Sequence, residues 1–156
     1  MIIRNKRIMK EGKCSVCGYP VMVDEIGNGE VCANCGWRQD SAAKKLPDDV
    51  GIANPISLNK ARRLYKEGKP FEPDFDDFIE FCEMYGEVEF KYSGRLFVID
   101  RGNNETILFG EDNGFTQERV IPTVFANIDE FADKASIDGV LVKDLWHKIK
   151  NFDCLN

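Results

Sequence analysis

The sequence predicts an α+β chain in which a small metal-stapled ribbon precedes a three-stranded antiparallel sheet packed with helices. Three observations carry this. Four cysteines stand as two paired turns, Cys14/Cys17 and Cys32/Cys35, with fourteen residues between Cys17 and Cys32. Two later stretches, from Leu58 to Tyr65 and from Phe75 to Tyr85, place their apolar residues on one side at the 3.6-residue period of a helix. From Val88 to Phe109 the chain reads as strands, interrupted at Ser93-Gly94 and at Arg101-Gly102-Asn103-Asn104. The 156 residues are 43% apolar with eleven Phe, enough for one stapled unit over residues 1–70 and one compact unit over 71–156, but not for two full-sized domains.

Charge narrows the partners. Twenty-one Lys+Arg against twenty-seven Asp+Glu leave a net charge of −6 and a pI near 4.9, which disfavours nucleic acid and anionic membrane as partners of the whole molecule. No apolar run approaches the roughly 18 residues of a membrane span, and the start Met1-Ile2-Ile3-Arg4-Asn5-Lys6-Arg7 lacks the apolar stretch of a signal peptide. A cytoplasmic protein is expected.

Paired cysteines in a reducing compartment point to metal rather than to disulfides. Zinc in structural sites takes four tetrahedral ligands, and two Cys-x-x-Cys turns facing each other supply them. Cys14, Cys17, Cys32 and Cys35 are therefore the expected ligands of one structural Zn²⁺. Each pair is followed by a glycine and an aromatic, Gly18-Tyr19 and Gly36-Trp37. The glycine permits a positive φ after the second ligand, and the aromatics are expected to roof the site. Iron in a rubredoxin-like site is the alternative, but that family's knuckles stand further apart. Cys82 falls on an apolar helix face and Cys154 near the end of the chain, so both are read as non-ligands.

The order of residues beyond the cysteines is similar to the bacterial cysteine-rich CPCC family. Cys32-x-x-Cys35-x-Trp37-x-x-Asp40 leads to Pro47-Asp48-Asp49, then to Gly51-x-Ala53-Asn54-x-x-Ser57-Leu58 and Ala61-Arg62-x-x-Tyr65. The resemblance spans about residues 14–68 and departs from the family at Ser15 and Val16, where Pro and a further Cys are usual, and at Arg38-Gln39, where acidic residues are. It implies a zinc-knuckle fold and an accessory or interaction role, often beside polymorphic toxins.

Along the chain, the basic first thirteen residues (Arg4, Lys6, Arg7, Lys10, Lys13) read as a solvated lead-in. Val21-Met22-Val23 and Gly29-Glu30-Val31 about Gly27-Asn28-Gly29 predict a hairpin between the cysteine pairs. Asp40 to Pro55 has no periodicity and reads as a loop. Ser57 caps a helix ended by Gly68 and Pro70, with Lys60, Arg63 and Lys66 on its polar side. Asp74 caps a second helix, with Asp77 completing a capping box. Three strands follow as a meander, and Val120-Ile121-Pro122 reads as a short edge piece. Asn127 caps a short helix, and Leu141, Leu145, Ile149 and Phe152 space a terminal one.

The segment from Phe71 to Phe90 contains eight carboxylates and no Lys or Arg. Such sign segregation forgoes the i,i+4 pairs that mixed charges would give. Asp76, Asp77, Glu80, Glu83, Glu87 and Glu89 are accordingly expected to form a docking surface for a basic protein. No nucleotide-binding or hydrolase motif is present, the lone His147 has no partner motif, and four cysteines would close a zinc shell against catalysis. The expected role is a non-enzymatic immunity protein or antitoxin that covers the basic groove of a toxin such as a nuclease. The alternative is a nucleic-acid-associated zinc-ribbon regulator, and a small iron-carrying electron carrier is a third.

Overall fold

The computed structural model describes residues 8–51, 53–112, 121–149 and 151–154. The chain divides into two compact units, Met1–Glu72 and Pro73–Asn156. Among the described residues no helix is long and apolar enough to cross a membrane.

In the first unit, β1 (Lys10–Lys13) and β2 (Pro20–Val23) form an antiparallel ladder running from Lys10 opposite Val23 to Lys13 opposite Pro20. The ladder therefore straddles the first cysteine pair, whereas the sequence placed the hairpin between the pairs. Each Cys-x-x-Cys-Gly turn is itself the tip of a hairpin. Cys14 N donates to Tyr19 O at 2.8 Å and Gly18 N to Cys14 O at 2.9 Å; Cys32 N donates to Trp37 O and Gly36 N to Cys32 O, both at 2.8 Å. Between the pairs the chain makes the bridge Val23–Gly29, with Asp24 N donating to Asn28 O at 2.7 Å and Glu30 N to Met22 O at 3.1 Å, and Val31 bridges Arg38 across the second turn. Asp24 organises the connection, its Oδ1 accepting from Ile26 N and Asn28 N.

The stretch expected to be a loop contains a helix, α1 (Ser41–Lys45), capped by Asp40, whose Oδ1 accepts from Ala42 N. Five residues are too few to show a period. α2 (Leu58–Lys66) starts at Ser57, whose Oγ accepts from Lys60 N, and ends before Gly68 at φ +67°. Its buried Leu58 and Ala61 pack with Val21, Val23, Trp37, Ala43 and Ile56 around the cysteines. The basic lead-in as far as Arg7 lies outside the described residues; Lys10 and Lys13 are exposed on β1.

The second unit opens with α3 (Phe75–Met84), where the Asp74 and Asp77 carboxylates reciprocally accept from each other's backbone N–H. The expected meander is present as β3 (Glu87–Tyr92), β4 (Arg95–Arg101) and β5 (Ile107–Asp112). It is the centre of a sheet of five strands rather than three. β6 (Thr123–Phe125) pairs with β5 and β9 (Phe152–Cys154) with β3, both antiparallel, giving the order β6-β5-β4-β3-β9. α4 (Ile128–Lys134) is capped by Asn127, and a two-residue hairpin joins β7 (Ser136–Ile137) to β8 (Val140–Leu141). Val120 of the expected edge piece lies outside the described residues.

The expected terminal helix is cut short. α5 (Val142–Leu145) passes into a 3₁₀ turn over Trp146–Lys148, and Phe152 belongs to β9. Leu145, Trp146 and Ile149 are all buried, so the apolar spacing was real. Phe152 joins the same core from a strand, and β9 covers the edge of β3 that would otherwise be left open. That core is aromatic. Phe78, fully buried, stacks on Trp146 at 4.5 Å and meets Phe90 edge-on at 5.8 Å. Phe131 caps Phe109 and Phe125 edge-on, and Trp146 Nε1 donates to Pro73 O.

Candidate metal centre and acidic surfaces

The two knuckles present their four thiols to one point. All four Sγ atoms lie within 4.8 Å of one another, with Cys14–Cys35 and Cys17–Cys32 both at 3.6 Å. A tetrahedral ion with bonds of about 2.3 Å to sulfur sets its ligands about 3.8 Å apart. A disulfide would need sulfurs about 2 Å apart. The donor set and its spacing fit a single tetrathiolate metal ion. Gly18 and Gly36 take φ +76° and +79° at equivalent places after the second ligand of each pair, a conformation a side chain would strain.

Cys14 and Cys32 are buried, while Cys17 and Cys35 are partly exposed. Burial works against a thiolate at Cys17, but hydrogen bonds from the Asn34 side chain, the Tyr19 backbone and the neighbouring thiols outweigh it and lower that thiol to about 7. Cys32 and Cys35 are pushed above the ordinary thiol value, first by burial. The aromatics divide: Trp37 is 1% exposed and lies edge-on to Phe71 within the unit's core, whereas Tyr19 is 49% exposed.

Several side chains tie the knuckles to the rest of the unit. Gln39, 2% exposed, bridges the two hairpins: its Nε2 donates to Cys14 Sγ and Trp37 O, both at 3.3 Å, and its Oε1 accepts from Ser15 N at 3.0 Å. Asn54 holds the backbone of Arg38 in both directions. From α2, Arg62 donates to Ser15 O at 3.0 Å and Tyr65 Oη accepts from Asn34 Nδ2 at 3.1 Å, so one helix grips both knuckle tips. Gln39 was visible in the sequence only as a departure from a family pattern. Arg62 and Tyr65 stood in the motif with no role assigned.

Four clustered thiols on twin hairpins define a cysteine-rich metal-binding module. Compared with known families, the chain matches the model described as Cysteine-rich CPCC over residues 12–77, in agreement with the ordered motif from Cys14 to Tyr65. No curated protein and no solved structure matched.

The structure does not bring the six acidic residues together. Asp77 is 7% exposed and engaged in the capping box. Asp76 and Glu83 are exposed on α3, with Glu80 half-buried. Glu87 and Glu89 alternate with Val88 and Phe90, which are buried on the side of β3 that meets Phe78 of α3. Glu87 and Glu89 therefore point from the opposite side of the sheet. Other carboxylates join them there: Asp100 stands opposite Glu87 and Asp153 opposite Glu89. Arg101 donates to Glu83 O at 2.6 Å, a cation at the C-terminal end of an acidic helix. His147 is exposed, and Cys82 is buried with its thiol pushed up by that burial. On α2, Arg63 and Lys66 are exposed and Lys60 is half-buried.

Proposed function

We propose that the chain is a non-enzymatic, zinc-stapled binding protein of a reducing cytoplasm whose second unit docks a basic protein. Its most concrete form is an immunity protein or antitoxin that occupies the phosphate-attracting groove of a nuclease toxin. The observation that carries the reading is the outer face of the five-stranded sheet. Glu87, Glu89, Asp100, Asp112 and Asp153 alternate out of the core there, with Lys91 on the same side. Half-buried Leu96, Val98 and Leu108 lie among them, with Val124 at 60% exposed. An apolar centre within a charged rim is the anatomy of an interface. Directly opposed like charges cost sheet stability, and a basic partner returns that cost as fast, salt-sensitive association. Glu87 and Glu89 remain docking residues in this reading, while Asp76, Glu80 and Glu83 of α3 form a second acidic side.

The test uses two charge-reversed chains, Glu87→Lys/Glu89→Lys/Asp100→Lys and Asp76→Lys/Glu80→Lys/Glu83→Lys. Each is compared with wild type in capture from the source cells, and then in stopped-flow association with the recovered basic protein at rising salt. The sheet variant should associate at least about tenfold more slowly and lose its salt dependence, the helix variant much less. Wild-type association by the sheet variant would refute the assignment.

A further inference from the structure

We infer that Gln39 is an outer-sphere determinant of the metal centre: its amide donates a hydrogen bond to the metal-bound Cys14 thiolate and so sets how tightly the knuckles hold the ion. This rests on reading the four cysteines as a metal site. The orientation of the amide follows from its surroundings. Ser15 N can only donate, and it reaches Oε1 at 3.0 Å, with Ser15 Oγ on the same oxygen at 3.2 Å. Nε2 is thereby turned to Cys14 Sγ and to Trp37 O. A buried polar amide is costly unless its donors and acceptors are used, and every hydrogen-bond partner of the Gln39 side chain belongs to one knuckle or the other. Four thiolates on a divalent ion leave an excess of negative charge on sulfur. In a core 2% exposed at this residue, water cannot supply the compensating hydrogen bonds, so a protein donor must. The amide is neutral and always carries its N–H donors, whereas an ionised carboxylate at this position would face the sulfur with a charge.

The test is cobalt(II) and zinc titration of the full chain, with the thiolate-to-cobalt charge-transfer band as a second readout. Two variants separate donation from mere packing. Gln39→Met removes all four hydrogen bonds at similar volume. Gln39→Glu keeps an acceptor for Ser15 and loses the Nε2 donor that serves Cys14 Sγ and Trp37 O. Both should bind zinc about 10- to 100-fold more weakly than wild type, and the cobalt band should move to lower energy as the sulfur becomes more electron-rich. Unfolding of the metal-free chain should change far less for Gln39→Glu than its zinc affinity does. If Gln39→Glu binds zinc within about threefold of wild type with the band unmoved, Gln39 is a packing residue and the inference fails. If wild type itself takes up no cobalt, the metal reading fails with it.

Discussion

Glu89 of β3 and Asp153 of β9 stand directly opposite each other across an antiparallel ladder, two carboxylates on one side of the sheet. One strand pair along, Glu87 faces Asp100 in the same way. A sheet selected for stability alone would mix signs at these positions, since opposed unlike charges contribute about 0.2–1 kcal/mol.

Glu89→Lys should therefore stabilise the second unit by up to about 1 kcal/mol while weakening its hold on a basic partner. Urea unfolding followed by aromatic circular dichroism checks the first part. A destabilised variant would show that Glu89 is held by a local contact rather than kept for recognition.

Removing the metal should loosen more than the knuckles. Arg62 and Tyr65 attach α2 to Ser15 and Asn34, so chelation should raise hydrogen exchange over residues 10–39 and over α2, while β3, β4 and β5 keep their protection. Exchange confined to the knuckles would mean that the grip of α2 carries little energy.

Metal uptake should depend steeply on pH. Cys32 and Cys35 lie above the ordinary thiol range in the metal-free chain and Cys17 at about 7, whereas all bind metal as thiolates. Above about pH 7, zinc must displace protons from at least Cys32 and Cys35, so each unit of acidification should weaken binding by at least about 100-fold. Below it Cys17 is protonated too, and the slope should steepen to at least about 1000-fold per unit. A competition titration between pH 6 and 8 measures this. A flat profile would contradict the thiolate shell.

Phe78 is the hub of the second unit's aromatic core, touching Phe75, Phe90, Phe131, Trp146 and Phe152. Phe78→Ala should cost about 3–5 kcal/mol, read as a lower urea midpoint at constant slope. A loss below about 1 kcal/mol would mean the core collapses to refill the site.

The clustering of the four cysteines was legible in the sequence because thiols at a fixed spacing have few other uses, and Asp74, Ser57 and Asn127 announced their helices through cap chemistry. What escaped the sequence depends on long-range packing. Gln39 has no pattern of its own, because its meaning comes from Ser15 and Cys14 more than twenty residues away. β9 is three residues long, too short for alternation to distinguish it from the end of a helical stripe. The acidic segment was visible as composition. Dividing it required knowing that α3 packs on the Val88 and Phe90 side of β3, which leaves Glu87 and Glu89 on the other. Asp77 looked like surface charge by helical angle, but its capping bond draws the carboxylate down onto the Asp74 backbone.

Native mass spectrometry of the purified chain, beside its Cys14→Ser/Cys35→Ser variant, tests the central claim that Cys14, Cys17, Cys32 and Cys35 hold one zinc. The wild type should carry about one zinc per chain with all four thiols unoxidised, and the variant none. A wild-type chain with no stoichiometric metal, with iron in its place, or with its paired cysteines joined as disulfides would contradict the account.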